Sequence, residues 1–413
     1  METTNPPSHL SQRVRNLKPS ATLAVSALVR RLRAEGRDVI GFGVGEPDFD
    51  TPDNIQQAAI DALRAGATRY MPVAGEPKAR ETIAEKLSEE NGIACSPDDI
   101  VITVGAKHAL YQALQCLLDA GDDREVIVPT PAWVSYRPMV ELAGGNVVEV
   151  PGALDNDYKI TPAQLEAAIT PRTAVLMINS PSNPCGTMYG PDELRALADV
   201  LEPHGRITVL TDEIYEKIIY GEARHFSLGS IGAIADRVVT INGLSKAYAM
   251  TGWRIGYACA PASGDVSLAK AMAKLQGQMT SNITSFCYAA IVEALTNSAA
   301  SVEKMRCAFA DRARLMYERV KAMPGIRCPR PTGAFYVFPD ISAHFGKQTP
   351  AGRAIDSSSA FAEALVEEAG VGVVPGAAFG DAGEGHVRLS FACSNEQIEE
   401  GCRRMGEWLQ TLA

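Results

Sequence analysis

Lys246 sits in the stretch INGLSKAYAMTGWRIGYA (241–258), among glycines, small residues and aromatics instead of among other charges. A lysine in such a setting has three possible uses: a solvated loop charge, a phosphate grip in a nucleotide site, or an amine nucleophile held in a pocket. The nucleotide use is poorly served. A P-loop needs G-x-x-x-x-G-K-[ST], whereas TINGLSKA has Thr240 for the first glycine, Leu244 and Ser245 before the lysine and Ala247 after it. GFGVGEPD also misses the dinucleotide pattern G-x-G-x-x-G, with Asp48 in place of the last glycine. A lysine amine becomes nucleophilic when desolvation or a nearby cation lowers its pKa, and Arg254 in the same stretch is available as that cation or as a phosphate clamp. This combination points to Schiff-base chemistry.

Other candidates stand at the ends of apolar runs. Gly105, Ala106 and Lys107 follow DIVITV and open a helical pattern; a helix start with small residues offers free amides and a positive dipole end for phosphate, although a plain helix start has the same pattern. Asn179 and Asn183 follow AVLMI, Asp212 and Tyr215 follow ITVLT, and Asn242 to Lys246 follow RVVTI. A lone aspartate there is more often a turn cap, and a tryptophan such as Trp133 in TPAWVSY is more often core.

The elements that must position these residues are visible as a period. DIVITV (99–104) precedes the helical AKHALYQALQCLLDA (106–120), and EVIVPTP (125–131) follows. TAVLMINSP (173–181), the helix PDELRALADVLEPHG, ITVLTDEIY (207–215) and DRVVTING (236–243) continue the alternation. Several runs are apolar throughout, the mark of strands buried on both faces of a mostly parallel sheet, so a three-layer α/β/α core is expected. In such open sheets ligands sit outside the carboxyl ends of the strands, where the candidates above fall. After about residue 300 a long charged helix, SVEKMRCAFADRARLMYERVKAM, ends at Pro324 and Gly325. The shorter strands GAFYVFPD (333–340), GVGVVPG (370–376) and GHVRLSFA (385–392) then suggest a smaller α+β domain. IDSSSAFAEALVEEAG reads as an N-capped helix.

With 413 residues, 46% of them hydrophobic, the chain can bury a sizeable core. A formal net charge of −10 argues against sequence-independent binding to nucleic acid or an anionic membrane. The nine cysteines are scattered, without a CxxC pair or zinc spacing, and no metal is expected. No apolar run approaches a membrane span, and METTNPPSHLSQRVRNLKPS lacks the apolar region of a secretory signal, so the expected location is cytoplasmic.

Among cofactors that bond to a lysine amine, pyridoxal 5'-phosphate needs an amine for its aldehyde, a carboxylate for its pyridine nitrogen, donors for its phenolic oxygen and an anion site for its phosphate. The strand ends contain one candidate for each. The segments GVGEPDFDTP, RYMPVAGEPKAR, PAWVSY, NSPSNPCGTMY, TDEIYE, SKAYAMTGWRIGYA, GAFYVFPD, VVPGAAFG and HVRLSFA also resemble the motif series of fold type I, class I aminotransferases. With LKPSATLAVSALV they most resemble the bacterial aspartate aminotransferase branch that sometimes also accepts prephenate, over about Leu17 to Ala392.

The resemblance implies a large pyridoxal-phosphate-binding domain over 46–305, a small C-terminal domain over 306–413, and an N-terminal arm with part of the small domain over 1–45. It makes Lys246 the Schiff-base lysine and proton shuttle, and Asp212 the partner of the pyridine nitrogen. Tyr215 and Asn183 would bond the phenolic oxygen and Trp133 would stack on the ring. Gly105, Ala106, Lys107, Ser245 and Arg254 would hold the phosphate, with Tyr70 reaching it from a second subunit of a homodimer. Arg388 would fork onto the substrate α-carboxylate, as bidentate recognition favours arginine, with Gly45, Asn183 and Trp133 beside it. Lys18 and Thr22 match positions that meet the far carboxylate or prephenate, although in an N-terminal arm they could equally be solvated. Cys185 stands where threonine is usual.

The implied reaction is ping-pong transfer of an amino group from an L-amino acid, aspartate, to a 2-oxo acid, 2-oxoglutarate. Rival readings are a prephenate or aromatic aminotransferase, a β-lyase, decarboxylase or racemase on the same fold, and a non-enzymatic effector-binding module. The last would need a basic DNA-binding domain ahead of the fold.

Overall fold

The computed structural model describes residues 9–17, 19, 21–262 and 267–413. Its strands in chain order are β1 (Ile40–Gly41), β2 (Ile100–Thr103), β3 (Glu125–Thr130), β4 (Asn146–Pro151), β5 (Thr173–Asn179), β6 (Thr208–Asp212), β7 (Val238–Gly243), β8 (Gly256–Cys259), β9 (Tyr336–Val337), β10 (Val371–Gly372), β11 (Val374–Pro375) and β12 (Val387–Ser390).

Seven strands form the central sheet in the order β2-β8-β7-β6-β5-β3-β4. Four pairings are parallel; β8 runs antiparallel to both β2 and β7. The β-branched interiors of β2, β6 and β7 are buried residue after residue, because helices cover both faces and leave no wet side to alternate against. Ala106–Leu117 turns Ala109, Leu110, Ala113 and Leu114 onto one face, where they meet Val101, Val239 and Ala258. Pro191–Leu201 presents Leu194, Leu197 and Leu201 to Leu176 and Val209 on the other. This is the α/β fold expected, with a mostly parallel sheet. Strands β4 and β8 were not among the runs read from sequence. β4 is a sheet edge and only partly buried, so its pattern is weak, while β8 is a four-residue run of glycine, tyrosine, alanine and cysteine with little β-branched character.

A second core lies beyond the sheet. β11, β12 and β9 form an antiparallel sheet, and β1 pairs in parallel with β10. The helices Ala299–Lys321 and Asn395–Gln410 pack over it through Met305, Phe309, Met316, Ile398, Met405 and Leu409. The strands anticipated over 333–340 and 370–376 are only two-residue pieces here. Helix Ser358–Glu368 begins as its sequence suggests, with Ser357 Oγ accepting from the Ala360 amide.

The two cores meet where the site forms. The register of β5 on β6 sets Asn179 beside Asp212, so these two carboxyl ends finish level, and that of β6 on β7 sets Asp212 beside Ile241, with β7 running on to Gly243. The Ser390 amide donates to the Phe42 carbonyl at 2.8 Å, tying β12 to the chain just after β1.

Candidate active site

The turn after β7 carries Lys246. Leu244, Ala247, Tyr248 and Met250 are buried and anchor the turn, and the Met250 amide donates to the Ser245 carbonyl at 3.2 Å. The lysine, half-buried, is left to face a cavity of about 440 Å³. Its Nζ donates to the Gly45 carbonyl at 2.6 Å. Burial pulls the amine down to about 8; Glu46 and Asp212 oppose this, while Arg388 and Arg254 add to it. A lysine in this range holds a useful neutral fraction near pH 7 to 8, which a solvated lysine does not.

Asp212 ends β6 and is 5% exposed. Burial lifts its carboxyl to about 6, against hydrogen bonds that favour the charge. Those bonds come from the Tyr136 hydroxyl at 2.8 Å and the Ile214 amide at 3.3 Å. The second makes Asp212 a turn cap as well as a buried charge. Asn179 bridges the strand ends: its Nδ2 donates to the Asp212 carbonyl at 2.9 Å and its Oδ1 accepts from the Asn183 amide at 2.8 Å.

Arg388 lies on β12, 2% exposed, with Val387, Leu389 and Phe391 turned into the second core. Its Nη1 donates to Asn183 Oδ1 at 2.9 Å and its Nη2 to the Gly43 carbonyl at 2.7 Å, while Nε is buried without a partner. The guanidinium rests on the rings of Tyr336 and Phe379, 4.5 and 5.2 Å from their centroids. Tyr336 shares a 2.9 Å hydroxyl contact with Tyr215, and burial raises the pKa of both phenols. No carboxylate pairs with Arg388 among the described residues, and a buried, unneutralised guanidinium with donors to spare is a receptor for an anion.

The opposite requirement, a site for a larger anion, is met at the start of Ala106–Leu117. Gly105 caps this helix at φ 84°, and the amides of Ala106 and Lys107 precede its first internal bonds. A Cβ on Gly105 would stand 2.5 Å from Arg254 Nη2, so the missing side chain is what lets the guanidinium approach the helix start. Arg254 is itself held by a 3.0 Å bond from Nη1 to the Thr251 carbonyl. Trp133 is half-buried, packs edge-on to Tyr136 at 5.4 Å and carries the Lys107 ammonium 4.7 Å above its ring.

One cavity therefore gathers Lys246, Asp212, Tyr215, Asn183, Trp133, Ala106, Lys107, Ser245, Arg254, Gly45, Thr22 and Arg388. Gly105 stands behind its wall. Tyr70 does not line it and is 89% exposed, and Lys18 lies outside the described residues. Gly45 lines the cavity, where its carbonyl accepts from Lys246, and the Gly43 carbonyl accepts from Arg388. The sequence reading gave no role to Tyr136, Tyr336, Glu46 or Arg30, all of which line the cavity. Tyr136 was within reach, three residues after Trp133 in PAWVSY; the others had no local signal.

A sequence profile described as aminotransferase class I and II matches residues 37–405. The chain is 46% identical to a probable aspartate/prephenate aminotransferase of Rhizobium leguminosarum bv. phaseoli, covering 96% of this chain and 97% of that one. It is 45% identical to the aspartate aminotransferase of Geobacillus stearothermophilus, over 98% and 100% of the two chains. Among solved structures, the aspartate aminotransferase of Thermus thermophilus with maleate superposes with a TM-score of 0.89 at 43% identity, over 96% of this chain and 99% of that one. That of Rhizobium meliloti gives 0.93 at 38% identity, over 98% and 100%. A half-buried amine and a buried carboxylate at the carboxyl ends of β7 and β6, facing a guanidinium on β12 that no carboxylate neutralises among the described residues, in a chain matched over nearly its whole length, identify this enzyme as a member of the class I and II aminotransferases.

Proposed function

We propose that the enzyme uses pyridoxal 5'-phosphate to move the amino group of aspartate to 2-oxoglutarate. The observation that carries the reading is the convergence of Lys246, Asp212 and Arg388 on one cavity. The residues present fit the cofactor: the bare Cα of Gly105 and the Arg254 fork make a phosphate cradle, the Asp212 carboxylate suits a protonated pyridine nitrogen, and Tyr215 and Asn183 suit the phenolic oxygen. When bound, the cofactor supplies an electron sink for the charge left at the substrate Cα.

The chain's own residues do the rest. Lys246, neutral in a substantial fraction because burial holds its pKa near 8, would take the proton from Cα of the donor amino acid and, in the second half-reaction, would deliver one to Cα of the product amino acid. Asp212 would hold the proton of the cofactor's ring nitrogen, and Tyr136 keeps the carboxylate oriented and favours its charge. Arg388 fixes the α-carboxylate with the donors its own contacts leave free, which aligns the Cα–H bond with the amine. Trp133, packed edge-on to Tyr136, would cover the cofactor ring and help exclude water from it.

Aspartate is supported by the Geobacillus relative, an aspartate aminotransferase, and by cations in the cavity beyond those the cofactor and the α-carboxylate need. Prephenate as a second acceptor is favoured by the aspartate/prephenate activity named for the Cereibacter sphaeroides relative, 46% identical over 96% of this chain. We assign residues 46–305 to cofactor binding and 306–413, with part of 1–45, to the smaller domain, supported by the shared core of Ile40, Phe42, Phe335 and Leu389. A homodimer in which Tyr70 reaches the neighbouring phosphate is supported by its 89% exposure. A reducing, cytoplasmic setting is supported by nine unpaired cysteines.

Incubating the loaded protein with aspartate and 2-oxoglutarate tests the reading. Glutamate and oxaloacetate in equal amounts are expected; ammonia and pyruvate without glutamate would overturn it.

A further inference from the structure

The turn after β6 has two faces. Asp212 and Tyr215 line the cavity, and the Glu216 amide donates to the Glu213 carbonyl at 2.9 Å, closing the turn around Tyr215. The side chains of Thr211, Glu213 and Glu216 meet Lys86, Asn91 and Ser227 in a buried cluster on the other side. No member of this cluster lines the cavity, so none touches the reacting atoms.

A ring of hydrogen bonds closes the cluster. Glu216 Oε1 accepts from the Lys86 ammonium, Glu216 Oε2 accepts from Asn91 Nδ2 at 2.7 Å, and Asn91 Oδ1 accepts from the same ammonium at 2.7 Å. Glu213 Oε1 accepts from Ser227 Oγ at 2.8 Å and Thr211 Oγ1 at 3.1 Å, and His225 Nε2 stands 3.4 Å from Glu213 Oε2. Burial and the Glu216 charge raise the Glu213 pKa, whereas Lys86 overcomes burial and lowers that of Glu216, so one carboxylate faces one ammonium. Lys86 and Asn91 belong to the helix Pro77–Asn91, whose Ile83 and Leu87 share a core with Ile100 and Ile102 of β2. The helix is therefore anchored to the sheet by apolar contacts of its own. A buried ion pair adds little stability over apolar side chains of the same volume. What it supplies is direction, since apolar packing is non-directional and a carboxylate held at both oxygens keeps one orientation.

We infer that Glu216 is a positioning residue: clamped from behind by Lys86 and Asn91, it fixes the turn that presents Tyr215 and Asp212 to the cofactor. The inference rests on the pyridoxal-phosphate reading and adds to it a residue outside the cavity. Tyr215 and Glu216 are consecutive and face opposite sides, so a Glu216 side chain released from its clamp lets the Tyr215 hydroxyl leave its place 2.9 Å from that of Tyr336. A hydroxyl that no longer donates to the cofactor's phenolic oxygen ceases to favour the charged form of that oxygen.

Removing one partner alone strands a buried charge, so the test uses the double variant Lys86→Met/Glu216→Leu, in which neither charge remains. Asn91 Nδ2, 3.5 Å from Glu213 Oε2, keeps a partner there. Three readings are compared with the native enzyme: the Tm of the apoprotein, kcat and KM for aspartate, and the pH midpoint of the absorbance change of the cofactor bound to Lys246 without substrate. The Tm holds, kcat falls about tenfold at a little-changed KM, and the midpoint rises by about one unit, as loss of one hydrogen bond to the phenolic oxygen implies. Asn91→Ala, which keeps the ion pair, moves kcat by about threefold and the midpoint by about half a unit in the same directions. A folded double variant with native kcat and midpoint overturns the assignment. So does a lower Tm and kcat with an unmoved midpoint, which makes the cluster structural only. Where the double variant does not fold, Asn91→Ala decides alone, and a native midpoint there overturns the assignment. If the native enzyme shows the absorbance change but transfers no amino group, the proposed reaction fails while the midpoints still decide the role of Glu216. A protein that takes up no pyridoxal phosphate overturns both.

Discussion

The Tyr136 hydroxyl donates a 2.8 Å hydrogen bond to the Asp212 carboxylate, inside a wall where both side chains are buried. The bond favours the charged carboxylate, against burial that pushes its pKa up to about 6. Tyr136→Phe removes the donor and keeps the ring, so the Asp212 pKa rises further and the carboxylate becomes protonated at higher pH. The acid limb of kcat moves upward in pH, and turnover at pH 7 falls about tenfold, as loss of one hydrogen bond to a buried charge implies. A pH–rate profile of the variant checks this; an acid limb that stays in place would mean the bond is only structural.

Lys246 titrates near 8 because it is desolvated. The amine is protonated below that pH and nucleophilic above it, so attachment of the cofactor aldehyde to apoprotein accelerates as pH rises through about 8 and then levels off. Stopped-flow absorbance over a pH series measures the midpoint. A midpoint near the ordinary lysine value, about 10.4, would place the amine in water.

Gly105 combines φ 84° with a Cβ position 2.5 Å from Arg254 Nη2. Gly105→Ala therefore strains the backbone, at a cost of about 1–3 kcal/mol, and displaces the guanidinium from the helix start. The expected result is weaker phosphate binding: a higher Kd for pyridoxal phosphate in titration, with a smaller effect on the Kd of pyridoxal, which lacks the phosphate. Equal weakening for both would remove the cradle from the account.

Arg388→Lys keeps a charge but loses the planar fork. Its contacts to Asn183 and the Gly43 carbonyl cannot both be kept by one ammonium while a carboxylate is also held. kcat/KM for aspartate falls about 100-fold, mostly through KM, in line with loss of charge-assisted bonds. Steady-state kinetics across aspartate concentrations separates the two constants.

Glu213, next to Asp212, accepts from Ser227 Oγ at 2.8 Å and Thr211 Oγ1 at 3.1 Å, and burial raises its pKa to about 8. A carboxyl raised in the folded state contributes stability that is complete below its unfolded value, near 4.5, and lost as pH rises through about 8. The apoprotein's Tm should drop from pH 6 to pH 9, and Glu213→Gln should drop less over the same interval in calorimetric scans.

Much of this site was legible because its residues end buried strands. Asp212, Asn179 and Lys246 follow β-branched runs that parallel pairing brings side by side, so sequence position carried spatial position. Arg388 came from the motif resemblance, and the alternation of β12, which turns Val387 and Leu389 to the core, leaves the arginine for the cavity. Tyr336 and Arg30 were not. Tyr336 lies in an aromatic run whose members are all buried, and its 2.9 Å contact with Tyr215 and its place beneath Arg388 are what set it apart from its neighbours. Arg30 sits in a run of basic residues on a helix, where the stripe that faces the cavity is set by which valines the bare glycines at 41 and 43 accept. Such choices arise from packing between distant segments, which no local pattern records.

The proposed function turns on the Lys246 amine as the group that would bond to the cofactor. Reducing the pyridoxal-phosphate-loaded enzyme with borohydride and mapping the peptides by mass spectrometry tests it most directly. A single phosphopyridoxyl mass on Lys246 is the predicted result. Label on another lysine, or none in a protein that still transfers amino groups, would contradict it.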